Sequence, residues 1–108
     1  MAEYSKNGRV YVARSPIHGK GLFAARDLAG GELIGVYDGP RVEDDGAHVL
    51  WVEDEPGGDW VGYDGQNEMR YMNHSLQPNA EMDGLYCYAL EDIRPGAEIT
   101  IDYGWDDS

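Results

Sequence analysis

The chain is poor in cysteine, in basic residues and in long apolar runs, and each shortage removes a class of protein. A single cysteine, Cys87, in 108 residues leaves no partner for an intrachain disulfide and no cysteine pair for a zinc cluster, so no metal site is expected. Cys87 stands in "LYCYAL", among strand-forming residues, and reads as a small core residue rather than an activated thiolate. Only 8 Lys and Arg face 21 Asp and Glu, a net charge of -13. A surface without phosphate-neutralising charge counts against direct nucleic-acid contact and against anionic membranes. Its complement is either solvent, the charge serving solubility, or a cationic partner. No segment approaches the roughly 18 consecutive apolar residues of a membrane span, and "MAEYSKNGRV" carries no apolar run of the secretion-signal kind. The expected location is cytoplasmic, or nuclear if the source is eukaryotic or viral.

What is present reads as one domain over 1–108, mostly β, with a modest core. A chain this short buries roughly 60–70% of its unfolded surface. The runs "RVYVARS", "GLFAA", "ELIGVY", "HVLWVE", "DWVGY", "LYCYAL" and "EITIDY" are short and rich in Val, Ile, Tyr and Trp, as strands are. Only Gln66 to Met72 invites a helical turn. Asp-Gly pairs at Asp38-Gly39, Asp45-Gly46, Asp64-Gly65 and Asp83-Gly84 predict hairpin turns. Two segments, "DLAGGELI" from Asp27 and "DIRPGAEITI" from Asp92, share a pattern of Asp, apolar residue, Gly-containing turn, Glu and strand. Shared hairpin chemistry explains that pattern without an internal repeat. The segment "EDEPGGD" is expected to be a solvent-exposed acidic loop.

Three stretches hold residues that could carry chemistry. In "SPIHGKGLFA", Gly19 and Gly21 flank Lys20 and would let a ligand approach the backbone, although a plain turn has the same composition. In "RYMNHSLQPNA", Asn73 and His74 need partners. His74 could be a base, a metal ligand, a buried structural residue or part of a cradle; His18 and His48 are too distant in sequence to form a ligand-spaced pair with it. "EITIDYGW" places Tyr103 at the end of an alternating strand, where it could equally be a core aromatic with its hydroxyl at the surface.

Taken in order, "GKGLFA" with "GGELIGVYDG", "RYMNHSLQPNA" and "GAEITIDYG" resemble the SET-domain family of protein lysine methyltransferases over Arg9 to Trp105. The resemblance implies a β-clip-like fold of small curved sheets in which the C-terminal segment threads beneath a loop, so that Asn73 and Tyr103 meet. It implies S-adenosyl-L-methionine as cofactor and lysine methylation of a basic, lysine-bearing protein or peptide, such as a histone-like or ribosomal protein. By the same resemblance His18, Gly19, Lys20 and Gly21 would approach the methionine part of the cofactor, and Arg70, Tyr71, Asn73 and His74 its amino group and adenine. Tyr103 and Tyr37 would line the catalytic lysine channel. The pattern is departed from at Leu76, where many members have cysteine, and at Ile101, where many have an aromatic. No cysteine-rich segment follows Trp105 in this sequence, so Trp105 stacked on the adenine or the substrate, or a second subunit in a homodimer, would cover the site; Trp105 could equally be a terminal aromatic packed on the core. The alternative is a SET-like module without catalysis, an acidic platform for basic peptides.

Overall fold

The computed structural model describes residues 3–4, 8–46, 48–53 and 58–102. Among these described residues eleven strands and one short helix follow one another as β1 (Glu3–Tyr4), β2 (Val10–Arg14), β3 (Lys20–Ala24), β4 (Leu33–Val36), β5 (Arg41–Val42), β6 (Val49–Glu53), β7 (Trp60–Asp64), a 3-10 turn η1 (Glu68–Tyr71), β8 (Asn73–His74), β9 (Ala80–Asp83), β10 (Tyr86–Ala89) and β11 (Glu98–Ile101). They form three small sheets with the orders β1-β2-β3-β11-β8, β4-β10-β9 and β5-β7-β6. All described pairings are antiparallel except β8 with β11, where Asn73 lies opposite Thr100 and His74 opposite Ile101. The predominantly β architecture expected from the β-branched and aromatic runs is the one observed, and the helical turn falls inside the Gln66 to Met72 window.

Period-two alternation decides which faces meet. Val10 and Val12 on β2, Leu22 and Ala24 on β3, and Ile99 and Ile101 on β11 are buried and turn one face of the first sheet inward. Ile34, Cys87 and Ala89 close the core from the second sheet, and Met69 plugs it from η1. Close packing is visible at Gly35, where a Cβ would lie 2.7 Å from Met69 Sδ. Cys87 is the core residue its neighbours predict; burial, with a smaller contribution from Glu81, pushes its thiol up to about 12.

Of the four Asp-Gly pairs, Asp83-Gly84 turns a hairpin, joining β9 to β10 with Gly84 at φ +60°. Asp45-Gly46 lies between β5 and β6, which both pair with β7 rather than with each other. Asp38-Gly39 and Asp64-Gly65 serve a different purpose: two chain segments cross there with no room for side chains. A Cβ on Gly39 would fall 1.7 Å from the Asp64 carbonyl oxygen, and one on Gly65 would fall 2.4 Å from the Tyr37 hydroxyl. Glycine was selected for close approach, not for a turn.

The two similar segments pack against each other. Leu28 and Ile93 form an antiparallel bridge, each amide donating to the other's carbonyl at 2.9 and 2.8 Å. Gly31 and Gly96 take matching left-handed conformations, φ +86° and +84°. Most of the "EDEPGGD" loop, and everything from Tyr103 on, lies outside the described residues. The expected threading of the C-terminal segment turns on those residues.

Candidate functional site

The site is organised by Asn73. Its side-chain nitrogen lies 2.8 Å from Glu98 Oε2, 3.1 Å from Ser15 Oγ, 3.2 Å from the His18 carbonyl and 3.3 Å from the Lys20 carbonyl. Four acceptors thus surround the amide nitrogen of Asn73, a residue 9% exposed. The Ser15 hydroxyl donates to the Glu98 carboxylate at 2.8 Å and accepts from the Ile17 amide at 2.9 Å, while the Ser15 amide donates to the Gly19 carbonyl at 2.7 Å. The exposed 15–20 turn is therefore tied to its own first residue, to β8 and to β11 at once. Gly21 completes the arrangement, because a Cβ there would sit 2.4 Å from Glu98 Oε2 and 2.9 Å from Ser15 Cβ.

Asn79 holds β11 from the other end of the same motif. Its side-chain nitrogen donates to the Glu98 carbonyl at 2.8 Å, and its oxygen accepts from the Thr100 amide at 2.9 Å. Asn79 is thus explained as a clamp on β11. The Ser75 amide adds a 3.0 Å bond to the Ile101 carbonyl.

Beside this buried network stands a cationic cluster. The Arg70 guanidinium donates to the Gln66 and Asn67 carbonyls, both at 2.8 Å, and to the Tyr71 hydroxyl at 2.5 Å. Its Cζ lies 4.2 Å from the Tyr71 ring centroid, with Lys20 Nζ 5.6 Å from the same centroid. His48 meets that ring edge-on at 6.1 Å. In a chain of net charge -13, an anchored arginine and a lysine on one tyrosine, beside an open glycine turn, are suited to a ligand carrying a carboxylate. Gly19 has φ +45°, and a Cβ on it would meet nothing within 4 Å, so that side of the turn faces free space.

Thus His18, Gly19, Lys20, Gly21, Arg70, Tyr71 and Asn73, drawn from segments about fifty residues apart, come together around the 15–20 turn. His74 follows Asn73 on β8 and so points to the other side; its Nδ1 is 3.8 Å from Asp102 Oδ1. Among the described residues no cluster of metal-ligating side chains occurs. Tyr37 is in the core, 6% exposed, and its hydroxyl donates to the His48 carbonyl, joining the end of β4 to the connection between β5 and β6. Tyr103 and Trp105 lie outside the described residues.

Glu98, Ser15 and Asn67 were missed by the sequence reading. Asn67 bridges the Val36 carbonyl at 2.7 Å and the Asp38 amide at 3.2 Å and fixes the chain on either side of Tyr37. The need for partners at Glu98 shows only once the strand order is known. Glu98 shares a face with Thr100 on a strand flanked on both sides, and a carboxylate in such a position must find donors.

Comparison with known proteins gives the family from the sequence and the matching fold from the structure. The model of the SET domain family matches residues 19–104. Human histone-lysine N-methyltransferase 2B is 30% identical over 87% of this chain, and the Arabidopsis thaliana histone-lysine N-methyltransferase MEDEA is 30% identical over 90% of it. The chain spans only 4% and 17% of those two curated relatives. Among solved structures, the methyltransferase domain of human PR domain-containing protein 2 superposes with a TM-score of 0.72, covering 94% of this chain and 80% of that domain at 20% identity.

Proposed function

The chain belongs to the SET-domain family, and from that premise we propose that it is a protein-lysine methyltransferase using S-adenosyl-L-methionine and acting on a basic protein, of the histone-like or ribosomal kind. The observation that carries the reading is the Asn73 hub, which fixes the 15–20 turn, β8 and β11 relative to one another.

The residues present fit the cofactor. Gly19 offers an unobstructed backbone, Lys20 and Arg70 complement a carboxylate, and Tyr71 adds an aromatic surface. When bound, the cofactor supplies an electrophilic methyl group on a cationic sulfonium. The chain must do the rest. A lysine of ordinary pKa near 10.4 spends about 4.6 kcal/mol to be neutral at pH 7, and an apolar, desolvated channel lowers that cost. Holding the amine in near-attack geometry contributes roughly 7–11 kcal/mol, so rigid walls matter more than a dedicated base. Tyr103 is assigned to one wall of that channel by its place in the family motif. Asn79 and Ser75 serve it indirectly, by fixing the backbone of β11.

The acidic balance of 21 to 8 supports a basic substrate through long-range attraction. The test is transfer of radiolabelled methyl from S-adenosyl-L-methionine to a panel of basic proteins, with Tyr103→Phe as comparison. Label on lysine that falls at least tenfold in the variant supports the assignment. Absence of label on every substrate, with no cofactor binding by calorimetry, overturns it.

A further inference from the structure

Among the described residues, one sheet face is used neither by the site nor by the core. On β10, Cys87 and Ala89 point inward, while Tyr86 and Tyr88 point outward, Tyr86 being 51% exposed. Cross-strand pairing sets exposed Asp83 opposite Tyr86 and exposed Glu81 opposite Tyr88 on one side, and Val36, 40% exposed, opposite Tyr86 on the other. The face therefore reads aliphatic, aromatic, acidic across three strands. Among the described residues neither the Glu81 nor the Asp83 carboxylate has a hydrogen bond or ion pair. Two carboxylates standing beside two tyrosine rings, without cations of their own, are the complement of lysine and arginine side chains, which take both a carboxylate and a ring face. Alternate residues on a strand repeat at roughly 7 Å, the same repeat as alternate side chains of an extended peptide. The face also joins the site directly: β9 starts at Ala80, next to Asn79, the residue that clamps β11.

We infer that the β4-β10-β9 face is a docking surface for an extended basic segment of the substrate protein, separate from the lysine that reacts. This rests on the reading of the chain as a lysine methyltransferase. A second copy is the poorer occupant, since it carries the same charge of -13 and would bring carboxylates together.

The probe is a fluorescein-labelled peptide of four Arg-Ser repeats, titrated by anisotropy into the full chain. The isosteric pair E81Q/D83N is compared with E43Q/D44N, which removes the same charge from exposed positions between β5 and β6, circular dichroism verifying the fold of both. E81Q/D83N weakens binding about tenfold and E43Q/D44N less than twofold; Tyr86→Ser weakens it severalfold with no change of charge. Equal weakening by the two acidic pairs means that only net charge matters and overturns the proposal. So does a concentration-dependent self-association, seen by sedimentation, that Tyr86→Ser abolishes while peptide binding stays. In the methylation assay, E81Q/D83N raises KM for a basic protein and leaves kcat unchanged; unchanged KM overturns the substrate role. Failure of all methyl transfer would instead strike the enzymatic reading, leaving the peptide affinities to be judged by themselves.

Discussion

The two similar segments, 27–34 and 92–101, make the same turn and put a glutamate just after it, yet those glutamates do different work. Glu32 folds back on its own turn, accepting from the Ala29 amide at 3.0 Å and pairing with Arg26 at 2.6 Å near the surface. Glu98 reaches away from its turn to Ser15, 83 residues distant in sequence, and to Asn73. The backbone code is local and repeated, whereas the use of the carboxylate is decided by what the fold brings opposite. One glutamate closes a turn, and its counterpart closes a site.

The sharpest way to break the comparison is Asn73→Ala. It removes the donor shared by Glu98 and the 15–20 turn, and a buried polar group left unsatisfied costs about 1–3 kcal/mol. Differential scanning calorimetry should show a Tm lower by several degrees, and cofactor binding should be lost. Gly21→Ala comes next: the new methyl needs the space held by Glu98 Oε2 and Ser15 Cβ, and overpacking of this kind costs about 1–3 kcal/mol. Urea unfolding should show a lower midpoint with an unchanged slope. At the surface, Glu32→Gln should have the smallest effect, and a pH-dependent one. The Ala29 amide, followed by the Arg26 guanidinium, holds the Glu32 carboxyl below its ordinary value. Its folded-state pKa is thus below its unfolded one, so the stabilisation is present above about pH 4.5 and is lost as pH falls through the folded value. The Tm gap between wild type and Glu32→Gln should therefore narrow on acidification below that range; a gap that widens would contradict the assignment.

These contrasts explain what could be read from residues alone. Enrichment of Val, Ile, Tyr and Trp in short runs is a local signal, and it located strands such as those holding Val10, Val12, Ile99 and Ile101. The short β8 and β5 have only two residues each, too few for any period to show. Gly39 and Gly65 carried a misleading signal, because an Asp-Gly pair looks the same whether it turns a hairpin or lets two segments cross. Motif order brought Asn73 and the Gly19 turn into the candidate site, but Ser15 and Glu98 could be joined to it only through contacts the chain makes after folding.

The most direct test of the account is a calorimetric titration of S-adenosyl-L-methionine into wild type, Glu98→Ala and Glu32→Ala. The prediction is saturable binding to wild type, at least tenfold weaker binding to Glu98→Ala, and binding to Glu32→Ala within twofold of wild type. Absence of binding to wild type, or equal losses in the two variants, would contradict a cofactor cradle organised by Glu98 and Asn73.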